Sequence, residues 1–81
     1  MSQTRAVAAE MERYIRYHRY ALQIEVVDHL EGLYGEQAVY TDDATGNRRI
    51  RQPVLTEFRR RTRKSPHPIT WDRSLMGWEV R

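Results

Sequence analysis

RRIRQPVLTEFRRRTRK, residues 48–64, holds eight basic side chains against the single acid Glu57. Its local charge is +7, while the whole chain carries only +3. A helix lies inside it. Pro53 suits a first helical turn, where its missing N–H costs nothing. Val54, Leu55 and Phe58 follow at helical spacing, with Thr62 at the edge of their stripe. Thr56, Arg59, Arg60 and Arg63 fall on the opposite side. The segment therefore reads as a short amphipathic helix with an apolar stripe inward and guanidinium groups outward. Such a face suits phosphates or an acidic protein surface.

The flanking charge is uneven. Residues 24–47 carry Glu25, Asp28, Glu31, Glu36, Asp42 and Asp43 with no Lys or Arg. This acidic block is either solvated or paired to the basic stretch. Thirteen of the fourteen basic residues are arginine, the cation that grips phosphate and carboxylate bidentately.

Eighty-one residues predict one domain, residues 1–81, with a small core. No cysteine is present, which excludes disulfide staples and thiolate metal sites. His18, His29 and His67 lack ligand spacing. Asp42 and Asp43 lack the alternating oxygen ligands of a calcium loop. No metal and no cofactor are expected. The N-terminus shows neither a signal peptide nor a membrane span, so a cytoplasmic protein is expected.

Before the basic helix, two others are predicted. Thr4 is placed as the N-cap of the first. Val7, Ala8, Met11, Ile15 and His18 form its stripe, with Tyr14 at the border. Tyr14, Tyr17 and Tyr20 read either as boundary packing or as a base-stacking platform. Ala21 and Leu22 form an extended link. The second helix covers about Gln23 to Tyr34, with Ile24, Val27, Leu30 and Tyr34 as its stripe, widened by Val26 and Leu33. Gly35 is its stop, and His29 lies on its flank. Residues 38–41 and 48–50 are β-prone around the turn residues 42–47, so a short hairpin or an ordered loop is expected there.

After the basic helix, Ser65-Pro66-His67-Pro68 ends helical structure. Ile69 and Trp71, then Met76, Trp78 and Val80, alternate with polar residues or glycine on either side of a turn at 73–75. This predicts a C-terminal hairpin with both tryptophans on the face that covers the helices. Met11, Ile15, Val27, Leu30, Val54, Leu55, Phe58, Trp71 and Trp78 are expected to converge in one core.

The expected fold is α+β: a small winged-helix-like domain of three helices. Its hairpin wing is C-terminal, and a short hairpin or loop joins helices two and three. In a helix-turn-helix variant of this kind the third helix enters the major groove. The join, about Gly35 to Gln52, is longer than the usual three- or four-residue turn.

Three segments, LYGEQAVYTDDATGN (33–47), PVLTEFRRRT (53–62) and ITWDRSLMGWEVR (69–81), resemble a family of small, mostly uncharacterised winged-helix-like proteins of bacteria and their phages. The resemblance implies the fold and no particular activity. The arginine run at 59–61 is heavier than that family's pattern, and Glu79 and Val80 separate Trp78 from Arg81.

An enzyme is not expected, because no nucleophile–base pair, Gly-rich phosphate loop or metal pattern is present. The first functional expectation is a nucleic-acid-binding module, with duplex DNA as partner. Thr56, Arg59, Arg60 and Arg63 would face the groove. Arg48, Arg49, Arg51 and Lys64 would sit on phosphates, and Arg73 would be the wing contact. Sequence preference should be weak, since Gln52 is the only amide near the helix suited to adenine. The second expectation is a protein-interaction module, for instance a phage or prophage inhibitor that blocks a host defence or nucleic-acid-binding complex. It would need an anchor such as Tyr17, Tyr20, Tyr34 or Leu75 exposed beside the basic face. Either form would be a monomer or a homodimer.

Overall fold

The computed structural model describes residues 3–81. Three helices, α1 (Thr4–His18), α2 (Gln23–Tyr34) and α3 (Gln52–Thr62), pack with two small antiparallel sheets. One sheet has three strands in the order β1 (Tyr20–Leu22), β5 (Gly77–Val80), β4 (Ile69–Asp72). The other pairs β2 (Val39–Thr41) with β3 (Arg48–Ile50).

α1 begins at Thr4 with Gln3 in the N-cap position, so Thr4 is the first helical residue and not the cap. Val7, Ala8, Met11 and Ile15 bury the inner face. His18, expected on that stripe, is exposed in the last turn. Arg19 then takes the left-handed conformation, φ 68°, and turns the chain into β1. α2 follows with Leu22 at its N-cap position. A leucine side chain has no capping oxygen, and Glu25 instead accepts the Leu22 N–H at 2.8 Å. Gly35, φ 57°, ends the helix as expected and donates its N–H to the Glu31 carbonyl.

The join between α2 and α3 is structured. A single 3₁₀ turn (Gly35–Gln37) leads into the β2–β3 hairpin. Asp42 N–H donates to the Asn47 carbonyl at 2.8 Å, and Gly46 N–H to the Asp42 carbonyl at 2.7 Å. Arg51 N–H closes the unit onto the Ala38 carbonyl at 2.9 Å. Pro53 then sits in the first turn of α3. α3 packs chiefly on α1, through Val54, Phe58 and Thr62. Thr62, placed at the stripe's edge by its spacing, is buried and donates its hydroxyl to the Phe58 carbonyl at 3.0 Å.

The core gathers Met11, Ile15, Val27, Leu30, Val54, Phe58 and Trp78 as expected, with Leu55 half-buried against it. Trp71 departs from expectation. It is the cross-strand partner of Trp78, with ring centroids 4.9 Å apart, yet it stays 42% exposed. Its strand β4 is the outer one, and the buried ring of Trp78 on β5 is what meets Phe58. On α2, Val26, Val27 and Leu30 are buried, whereas Ile24 and Leu33 face outward. Met76 lies in the β4–β5 turn at φ 52° and not in the strand.

β5 is central, and Gly77 lets it close on β1. A Cβ at Gly77 would stand 2.8 Å from the Ala21 carbonyl oxygen and 3.3 Å from the Leu22 Cα. Both are backbone atoms that cannot turn aside. Gly77→Ala should therefore cost about 1–3 kcal/mol, read as a lowered melting temperature. A variant melting with the parent would contradict the β1–β5 register.

Candidate functional site

The basic stretch divides into two parts with different surroundings. The first belongs to the hairpin. Arg48 on β3 forks onto α2, 2.5 Å from Asp28 and 2.5 Å from Glu31. These acids lie one helical turn apart, and they push the Arg48 pKa upward, Asp28 first and Glu31 second. Arg49 reaches Asp42 at 2.9 Å across the hairpin. The Asp42 carboxyl is held below its ordinary range, first by the Ala44 N–H and then by Arg49. Arg51 donates to the Glu36 carbonyl and lies over the Tyr40 ring, 5.8 Å from its centroid. Of these three predicted phosphate ligands, Arg48 ties the hairpin to α2, Arg49 closes the hairpin on itself and Arg51 holds the 3₁₀ turn, and acids of the 24–47 block pair with the first two.

The second part is α3. Thr56, Arg59 and Arg60 are exposed on it, and Arg63 and Lys64 are exposed just past its end. Arg60 is held by Glu57 one turn earlier, at 2.5 Å. Arg61, outside the predicted set, reaches α1 and pairs with Glu12 at 3.0 Å, beside Arg16. Among the described residues, Thr56, Arg59, Arg63, Lys64 and Arg73 make no side-chain hydrogen bond or ion pair. Arg59, Arg63 and Lys64 therefore form a run of unneutralised cations at the C-terminal end of α3, and Arg73 adds one in the β4–β5 turn.

Beside this run is a groove the sequence reading did not find. Gln23, Leu55, Phe58, Arg59, Trp71 and Trp78 enclose about 280 Å³ between α3, the start of α2 and the C-terminal hairpin. Leu22, Ile24, Leu75 and Met76 are also exposed around the start of α2 and the β4–β5 turn. The alternation of β4 signals which side of the sheet Trp71 occupies. It carries no information on whether a helix covers it.

A separate polar cluster joins α1 and α2. Glu10 pairs with Arg13 at 2.6 Å and lies 2.6 Å from His29 Nε2. His29 stacks on Tyr14 at 4.3 Å, and Tyr14 meets His18 at 4.4 Å. The three tyrosines thus do not line up as a platform: Tyr14 is spent on histidines, Tyr17 is exposed on α1, and Tyr20 sits in β1. Arg13, then His29, hold the Glu10 carboxyl below its ordinary range against the opposing effect of burial. A carboxyl with a depressed folded pKa stabilises the fold above its unfolded value and loses that contribution as pH falls through the folded value. The melting temperature should therefore drop as pH goes below about 4. Glu10→Gln should lower it at neutral pH and shrink the acid-induced drop. An unchanged acid profile would show that Glu10 contributes nothing.

No helix among the described residues is long and apolar enough to cross a membrane. Residues 3–80 match a family of unknown function, DUF6953. Comparison with curated proteins and with solved structures returned no match.

Proposed function

This chain belongs to the DUF6953 family, and we propose that it is a non-enzymatic nucleic-acid-binding module of winged-helix type. The element order and the strand order β1-β5-β4 support that reading of the fold, with β4–β5 as the wing. The β2–β3 hairpin is then an insertion between the second and third helices. The observation that carries the function is the unpaired run Arg59, Arg63 and Lys64 at the C-terminal end of α3, beside exposed Thr56. Arg73 is the wing cation. Arg48, Arg49 and Arg60 belong to internal ion pairs, so they add little to phosphate binding.

That division sets the salt dependence. Each neutralised phosphate contributes about −0.9 to the slope of log K against log salt on duplex DNA. Four free cations give a slope of about −3 to −4, whereas all eight basic residues of 48–64, seven arginines and Lys64, would give about −7. Anisotropy titrations of a mixed-sequence duplex should show weak binding that falls roughly a hundredfold between about 50 and 200 mM salt. Absence of binding at low salt would remove the proposal.

The exposed Leu22, Ile24, Leu75 and Met76 favour a second reading, a module that binds an acid-rimmed apolar surface on a protein. A phage or prophage inhibitor of a host defence or nucleic-acid-binding complex is one such protein. Arg59→Lys with Arg63→Lys separates the two. A point charge still attracts phosphate, so DNA binding is expected to persist within a few-fold. Bidentate grip on protein carboxylates would be lost.

A further inference from the structure

The groove beside α3 has a composition that phosphate binding alone does not use. We infer that it is a stacking niche for one unpaired nucleobase, so that the protein takes single-stranded nucleic acid through Trp71. This rests on the nucleic-acid reading above and adds a ligand class to it.

Four features carry the inference. Trp71 is a large aromatic left 42% exposed on an outer strand, with Trp78 fixing its ring from one side at 4.9 Å. Base–aromatic stacking needs such a pre-placed ring and tolerates any base. The groove is about 280 Å³, at the small end of ligand pockets, which run from about 300 Å³, so it suits one planar ring system. Its polar lining is Arg59 and Gln23, with no acid. Neither side chain has a partner among the described residues, leaving a guanidinium for the nucleotide's phosphate and an amide for a base edge. Finally, Arg63 and Lys64 continue the positive charge from Arg59 past the C-terminal end of α3, where the next phosphates of an extended strand would pass. In an intact duplex the bases are stacked on one another, so Trp71 would have nothing to receive.

The test compares an unstructured mixed-sequence single strand with a blunt duplex of the same length, at one salt concentration. The proteins are the parent, Trp71→Ala, Trp71→Phe and Arg59→Gln, each first checked for its melting temperature. The single strand should quench tryptophan fluorescence in the parent. Trp71→Ala should weaken single-strand binding about tenfold, the effect of losing one base stack. It should leave duplex binding within about twofold, and Trp71→Phe should retain most of the single-strand affinity. Arg59→Gln should weaken both ligands. Trp71→Ala binding the single strand like the parent would overturn the niche while leaving the phosphate reading intact. Equal weakening of both ligands would overturn it too, since Trp71 would then act only through the fold. A parent that binds neither ligand at low salt removes both proposals. Loss of a protein partner in Trp71→Ala with single-strand binding unchanged would assign the groove to an apolar protein side chain instead.

Discussion

Phe58→Ala is expected to bring this protein close to unfolding at room temperature. Phe58 is 3% exposed and lies at the centre of the α3 face, one turn from Val54 and one from Thr62. Its ring meets Trp78 edge-on at 6.1 Å, so it joins α3 to the C-terminal hairpin as well as to α1. Truncation removes the ring's transfer free energy and leaves a cavity between three elements, costing about 3–5 kcal/mol. A domain this small lies near the low end of the usual range of about 5–15 kcal/mol. The melting temperature should fall by more than about 15 °C. A variant melting within a few degrees of the parent would mean that α3 presents a different face to the core.

The second large effect is on binding. Changing Arg59, Arg63 and Lys64 together to glutamine should reduce affinity for DNA by more than about a hundredfold at low salt. Charge-assisted hydrogen bonds are worth about 1.5–3 kcal/mol each, and tenfold in affinity is 1.4 kcal/mol. The fold should be unaffected, because none of the three has a partner among the described residues. Arg48→Gln with Arg49→Gln should behave in the opposite way. It removes the ties to Asp28, Glu31 and Asp42, so the melting temperature should fall while DNA affinity changes only a few-fold. If the hairpin pair lowers affinity as much as the α3 triple, the division of the basic stretch is wrong.

Local signals made the elements legible in the sequence. Pro53 opens α3, Gly35 closes α2, and the spacing of Val7, Met11 and Ile15 marks α1. The turn residues 42–47 produced the β2–β3 hairpin, one of two forms expected there. What the sequence hid was tertiary. On α2, apolar side chains lie on most sides of a twelve-residue helix, so periodicity could not separate buried Val26 from exposed Leu33. Trp71 and Trp78 look alike in an alternating strand, and only the position of β4 at the sheet's edge distinguishes them. For the site, the basic stretch was visible as a charge run. Which cations were already neutralised depended on where the hairpin set Arg48 against α2, a contact seventeen residues apart from Glu31. The groove at Trp71 combines residues of α2, α3, β4 and β5, and no local pattern announces it.

The central claim is that the nucleic-acid surface is the C-terminal end of α3 with its neighbouring groove, and that the β2–β3 hairpin arginines are structural. Backbone and indole NMR shifts, followed while DNA is added at low salt, test it most directly. Shifts are expected to concentrate at Thr56, Arg59, Arg63, Lys64 and Arg73, with the Trp71 indole responding to single strands. Shifts centred on Arg48 and Arg49, or on Leu22, Ile24 and Met76, would contradict it.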